Sequence, residues 1–185
     1  MIKNLFVSGC KPMELGIFKE TDHRIDFVKK AIERRLIAFI EEGLEWVIIS
    51  GQMGVELWTA EVVLELKEEY DVRIAMIPPF ENQAGRWPES LQVKYEELSF
   101  TVDYYEPLYQ GEYRGPFQFR NRDAWLIQKT DACLLLMDEE SPGSVGYFYN
   151  TAKDKANYSV YFITPFDIDD VVRDMEMQDP KYWDN

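Results

Sequence analysis

Apolar and polar positions along this chain follow two periods, and the switches between them predict its elements. Residues 4–8 form a short apolar run that reads as a strand. It ends in Ser8-Gly9 and passes into a loop punctuated by proline and glycine, Cys10-Lys11-Pro12-Met13-Glu14-Leu15-Gly16. Over residues 21–42, Ile25, Val28, Ile32, Leu36, Phe39 and Ile40 recur at helical spacing, with Thr21 or Asp22 as N-cap and Gly43 as C-cap. The opposite face, rich in Lys, Arg and Glu, is left to solvent. Residues 46–50 predict a second strand, and residues 55–70 a helix whose apolar side carries Leu57, Ala60, Val63, Leu64 and Leu66. Residues 73–77 predict a strand stopped by Pro78-Pro79, 80–87 a polar loop, 88–98 a short helix, 100–105 another strand and 107–116 a loop. Residues 117–129 read as helix, 132–137 as a strongly apolar strand, 147–156 as helix, 160–163 as the last strand and 168–175 as a terminal helix. The acidic end past Gln178 is expected to fray.

Strands alternating with helices, with no repeat, low-complexity segment or composition break, predict an α/β fold: a single Rossmann-like doubly wound domain over residues 1–185 with a largely parallel sheet. In such sheets ligands bind beyond the carboxyl ends of the strands. The loops at Ser8-Gly9, Ser50 to Gly54 and Pro142 to Gly146 are therefore expected to converge on one rim.

Composition narrows the class of protein. With 46% hydrophobic and 15% aromatic residues in 185, the chain can bury a large core, which excludes disorder. A net charge of −14 opposes nucleic acid and anionic membrane surfaces at long range, so no broad basic footprint exists and nucleic acid is not an expected partner. Cys10 and Cys133 are too few for a disulfide framework or a four-cysteine zinc site and read as reduced thiols in a core. The opening Met-Ile-Lys-Asn-Leu-Phe-Val reads as a strand, not a signal peptide, and no apolar run nears the roughly 20 residues that span a bilayer. A cytoplasmic protein with no membrane partner is expected.

The candidate chemistry centres on Trp46-Val47-Ile48-Ile49-Ser50-Gly51-Gln52-Met53-Gly54-Val55-Glu56. A buried strand, a glycine turn and a helix start place backbone N–H groups and the positive helix end around one spot, as a phosphate site requires; a plain strand-to-helix turn also favours glycine. The N–H groups of Gly143 to Gly146 suit a second phosphate in the same way. Arg120 and Arg122 precede the fifth strand, where a guanidinium fork would hold phosphate or carboxylate; surface arginines in a first helical turn are the competing account. Glu56 would accept from ribose hydroxyls, or else simply complement its helix dipole. Among the many aromatics, Trp87 and Tyr113 sit in polar loops and are the better candidates to stack on a base. The sole histidine, His23, lies in a polar helix start with no nucleophile elbow elsewhere, so a Ser-His-Asp triad lacks support. No His or Cys pair offers a metal site, and the Gly-Lys-Ser/Thr end of a P-loop is missing.

Ser8-Gly9, the segment Ser50 to Glu56, Phe119-Arg120-Asn121-Arg122-Asp123 and Pro142-Gly143-Ser144-Val145-Gly146 together resemble the YpsA family of small bacterial proteins, over essentially the whole chain. The family lies in the SLOG superfamily of Rossmann-like proteins, which also holds the LOG phosphoribohydrolases and the DNA-processing DprA proteins. The resemblance implies a ligand such as NAD or ADP-ribose and a regulatory role in bacterial growth or cell division. LOG enzymes carry Pro-Gly-Gly-x-Gly-Thr-x-x-Glu, whose Glu and an upstream Arg act on the ribosyl bond. Here Tyr147 stands at the threonine position and Asn150 at that of the Glu, while Arg122 matches the arginine. An amide neither exchanges a proton near neutral pH nor offsets oxocarbenium charge, so the LOG mechanism would lack a central group.

Together these readings lead to a nucleotide-derivative binding or sensing protein. The proposed ligand contacts are Ser8, Gly9, Ser50, Gly51, Gln52, Gly54, Glu56, Trp87, Arg120, Arg122, Gly143, Ser144 and Gly146, with no metal. The alternative is a LOG-like hydrolase of nucleotide N-glycosidic bonds, with Glu56 and Arg122 as substitutes for the usual pair and Glu14 as a further stand-in. Protein partners are not legible in the residues, and a homo-oligomer is left open.

Overall fold

Each strand of the core alternates its side chains between two hydrophobic layers, which is what a sheet covered on both faces demands. Leu5 and Val7 enter one layer and Phe6 the other; Val47 and Ile49 oppose Ile48; Leu134 and Leu136 oppose Cys133 and Leu135. The computed structural model describes residues 1–179 and 181. The elements run β1 (Asn4–Gly9), α1 (Arg24–Glu41), β2 (Trp46–Ile49), α2 (Val55–Leu66), β3 (Arg73–Met76), α3 (Glu89–Thr101), β4 (Tyr104–Tyr105), α4 (Phe117–Lys129), β5 (Ala132–Leu136), α5 (Gly146–Ala152), β6 (Ser159–Ile163) and α6 (Pro165–Gln178). The six strands form one sheet in the order β4-β3-β2-β1-β5-β6, and every pair is parallel.

Helices α1, α2, α3 and α6 supply the first layer, through residues such as Ile32, Leu57, Leu98 and Val171. Helices α4 and α5 supply the second, through Leu126, Ile127 and Phe148, whose ring lies 4.6 Å from that of Phe6. Both cysteines are free and buried. Burial pushes the Cys133 thiol up to about 12 and that of Cys10 up to about 11, so neither carries thiolate character.

The expected elements stand close to the observed ones; two helices end about four residues early, α2 at Leu66 and α5 at Ala152, and three other differences have a clear physical cause. The strand expected over residues 100–105 shrinks to Tyr104-Tyr105, because Leu98 and Val102 are both buried one helical turn apart and carry α3 on through Thr101. The loop after β1 contains a 3-10 turn, Pro12–Leu15, started by Pro12 in its first position. The last helix begins earlier than expected and runs longer. Thr164 caps it by accepting from the Asp167 N–H at 3.3 Å, while the Asp167 carboxylate accepts from Thr164 N at 2.8 Å, a capping box ahead of Pro165 and Phe166. The fraying expected past Gln178 falls mostly outside the described residues.

Candidate functional site

From β1 the chain steps outward to β2, β3 and β4, then returns to place β5 and β6 on the other side of β1. The loops leaving β1 and β5 therefore diverge to opposite faces, and a crevice opens at their carboxyl ends. A cleft of about 630 Å³ lies there. It is lined by Ser8, Gly9 and Lys11 from the end of β1, Gln52 and Glu56 from the start of α2, Phe119, Arg120, Arg122 and Asp123 from α4, and Ser144, Val145, Tyr147 and Phe148 from beyond β5. All three glycine-bearing turns thus contribute to one rim.

Period two explains why the serines meet here. Ser8 lies two residues past Phe6 and Ser50 two past Ile48, so both sit on the α4 side of the sheet just as the strands end. Glu56, in the first turn of α2, reaches over the sheet between them. Its Oε2 accepts from Ser8 Oγ at 2.9 Å and its Oε1 from the Ser50 N–H at 2.6 Å. Arg122 Nη1 donates to Ser50 Oγ at 3.3 Å, and its Nε and Nη2 both donate to Asp123 Oδ1 at 3.1 and 2.9 Å. Gln83 Nε2 donates to the Ser50 carbonyl at 3.2 Å. A chain of hydrogen bonds therefore joins β1, α2, β2 and α4, and holds the Arg122 guanidinium 5.3 Å from the centre of the Phe119 ring.

Glu56 is only 4% exposed. Burial pushes its carboxyl above the ordinary 4.5, with the Arg122 charge and the two serines pulling the other way without reversing the direction. Asp123 behaves alike: burial raises it, and Arg122 opposes. The backbone ahead of α2 is equally constrained. Gly54 has φ 88°, and a Cβ there would stand 2.8 Å from Pro12 Cδ and 2.9 Å from the Cys10 carbonyl, so only glycine lets the turn press against the loop after β1.

The turn after β5 is met by a carboxylate from the loop after β1. Glu14, in the 3-10 turn, accepts from Ser144 N at 3.0 Å through Oε2, and from Ser144 Oγ at 2.7 Å and Lys11 N at 3.2 Å through Oε1. Gly143 has φ 64°, and a Cβ on it would overlap the Glu14 carboxylate. Partial burial pulls the Glu14 carboxyl upward, but the Ser144 and Lys11 donors outweigh it and hold the group below 4.5.

Of the residues named from sequence, Ser8, Gly9, Gln52, Glu56, Arg120, Arg122 and Ser144 line the cleft. Ser50 lies beneath it as a buried link between Glu56 and Arg122, and Gly51, Gly54, Gly143 and Gly146 shape the turns without lining it. Trp87 is elsewhere: half-buried, it packs edge-on against Tyr95 at 5.6 Å on the α1 and α2 side, because the loop that carries it folds onto the first core. Tyr113 packs at a tilt against Phe80 and Phe119, with ring centres 5.5 and 5.7 Å away, beside the cleft. Asn150 is exposed and does not line the cleft, and His23 is exposed. Lys11 and Asp123 line the cleft without having been named from sequence, and Tyr147, one of the chain's many aromatics, lines it too. Only Asp123 carried a signal, as the acid next to Arg122.

A second cavity of about 540 Å³ lies behind the Pro12 to Gly54 contact, floored by Ile17, Ile25, Leu57, Trp58 and Leu91. Its rim charges are largely paired: Lys94 faces Glu20 and Glu61 at 3.6 and 3.4 Å, and Lys29 faces Glu61 at 2.8 Å.

Among the described residues, no three His, Cys, Asp or Glu side chains gather so as to hold a metal ion, and no helix is long and apolar enough to cross a membrane. The YpsA family model, described as the YspA SLOG family, matches residues 5–171. A UPF0398 protein of Oceanobacillus iheyensis is 65% identical over 184 residues, which is 99% of this chain and all of its own length. The UPF0398 protein YpsA of Bacillus subtilis is 45% identical over 171 residues, 90% of this chain and 95% of its own. Among solved structures, DNA processing protein A from Helicobacter pylori, described for its single-stranded DNA binding mode, is similar with a TM-score of 0.50 over 92% of this chain and 80% of that one. At 13% identity that likeness shows the fold alone.

Proposed function

The chain belongs to the YpsA family of SLOG proteins, and on that premise we propose that it binds a nucleotide-derived ligand of the NAD or ADP-ribose kind in the cleft between β1 and β5, as a cytoplasmic sensor in bacterial growth or division. The observation that carries this reading is the convergence of Ser8, Gln52, Glu56, Arg122 and Ser144, from three glycine turns and α4, on one cleft at the switch point of a parallel sheet. Arg122 is already oriented by Asp123 and Ser50, so an anionic group meets a guanidinium that has lost little freedom on binding. Exposed Arg120 adds a second cation at the same mouth.

Differential scanning fluorimetry against NAD, ADP-ribose and AMP tests the reading. A ligand at about 100 times its Kd stabilises the folded state by about 2.7 kcal/mol, which for a chain of this size raises Tm by roughly 5–10 °C. A well-folded sample whose Tm no nucleotide moves would count against it.

Hydrolysis of an N-glycosidic bond is the second reading, favoured by one observation: a carboxyl raised by burial, Glu56, lines the same cleft as Arg122. Release of free base from a nucleoside monophosphate, abolished in Glu56→Gln, would establish it; binding without turnover leaves the sensor. Single-stranded DNA, which the similar Helicobacter pylori protein binds, meets a net charge of −14 here, and salt-dependent retention of DNA would reverse that preference.

A further inference from the structure

Glu14 and Ser144 lie 130 residues apart in sequence, yet their contact ties the loop after β1 to the turn after β5 at the mouth of the cleft. The Glu14 carboxylate receives three hydrogen bonds there, from Ser144 N, Ser144 Oγ and Lys11 N. The two Ser144 donors are those that a phosphate entering the Gly143-Ser144 turn would use, and Ser144 lines the cleft, whereas the Lys11 N–H caps the turn that carries Glu14. Glycine at 143 leaves room for the carboxylate where a Cβ would overlap it. We infer that Glu14 is an autoinhibitory latch, an internal carboxylate that engages the Ser144 donors at the edge of the cleft and must swing out before a ligand phosphate can take them.

Three features favour a latch over a fixed strut. Glu14 is exposed, so its departure uncovers no core. Its turn is held by backbone bonds of its own, Ile17 N to the Pro12 carbonyl at 2.9 Å and Gly16 N to that of Met13 at 3.1 Å, so within the turn rotation of the side chain gives up only the capping bond from Lys11 N. The carboxyl, held below its ordinary 4.5, is ionised at neutral pH, and a carboxylate and a phosphate cannot both take the Ser144 donors. Pro12 and Met13 of the same turn line the second cavity, while Lys11 just before it lines the cleft.

This inference rests on the cleft being an anion site, and the experiment keeps the two ideas apart by using two probes. Inorganic pyrophosphate and ADP-ribose are each titrated calorimetrically into the wild-type chain, Glu14→Gln, Glu14→Ala, and the double variant Glu14→Ala with Ser144→Ala. The pyrophosphate ratio tests the latch. Glu14→Ala is expected to bind about tenfold or more tightly than wild type, as loss of one charge-assisted competitor implies, with Glu14→Gln in between and the gain abolished in the double variant. Equal or weaker pyrophosphate binding in Glu14→Ala, including no binding to either chain, overturns the latch. The ADP-ribose result tests the nucleotide reading. If ADP-ribose binds no variant while pyrophosphate binds Glu14→Ala more tightly, the latch stands and the nucleotide reading falls.

Discussion

Two turns on one rim each hold a carboxylate of the chain's own, and they hold it under opposite conditions. At the turn before α2, Glu56 accepts from a serine hydroxyl and a backbone N–H while almost wholly buried, and burial raises its carboxyl. At the turn after β5, Glu14 accepts from a serine hydroxyl and two backbone N–H groups while exposed, and the donors lower its carboxyl. The bonds are of one kind. What differs is water. Where water is excluded, the carboxylate becomes a cross-brace between β1, β2 and α2 that cannot leave without orphaning its partners. Where water is present, the same bonds can be exchanged for solvent, and the group is replaceable.

The largest effect should come from breaking the buried member. Glu56→Ala leaves the Ser8 hydroxyl and the Ser50 N–H without an acceptor in a buried site, an expected loss of about 3–5 kcal/mol in urea unfolding. Glu14→Ala, measured in the same way, should cost less than about 1 kcal/mol. Comparable losses for the two would erase the distinction.

Next in size are the glycines behind each carboxylate. Gly54→Ala puts a side chain against the Pro12 ring and the Cys10 carbonyl at positive φ, so it should cost about 1–3 kcal/mol. At Gly143 the obstructing atoms belong to the flexible Glu14 side chain. Gly143→Ala is therefore expected to cost about 1–2 kcal/mol from its φ alone, and nearly the same when Glu14 is already alanine. Thermal denaturation of the four variants decides this, and a strongly non-additive pair would show Glu14 to be a strut.

A smaller effect sharpens the contrast by pH. The folded chain holds the Glu56 proton at a higher pH than the unfolded chain, so stability from this group is fully present below pH 4.5 and falls as pH rises through its folded value. Glu14 has the opposite sign: its contribution is present above pH 4.5 and is lost as pH falls through its depressed folded value. Urea midpoints from pH 4 to 8 should therefore fall less steeply in Glu56→Gln than in wild type, while Glu14→Gln leaves that range nearly unchanged.

Much of the fold was legible because period is a local property. The apolar run of β5, the helical spacing of Ile25 to Ile40 in α1 and the Ser50 to Gly54 turn each declare themselves within a dozen residues. The same locality misled at residues 100–105, where buried Val102 continues a helical face that a short window reads as strand. Long-range pairs were not legible. Nothing near Glu14 points to Ser144, and nothing near Glu56 points to Ser8, because topology alone brings them together. Trp87 shows the same limit: a polar loop was visible in the sequence, but not the surface of Tyr95 onto which it folds.

The central claim, a nucleotide-derived ligand in the cleft between β1 and β5, is tested most directly by titrating ADP-ribose into isotopically labelled protein and following its backbone amides by NMR. Shifts concentrated at Ser8, Gln52, Glu56, Arg122 and Ser144, saturating with one ligand per chain, are the predicted result. Saturable shifts confined to Ile25, Leu57 and Leu91 around the second cavity, or no shifts at millimolar ligand, would contradict it.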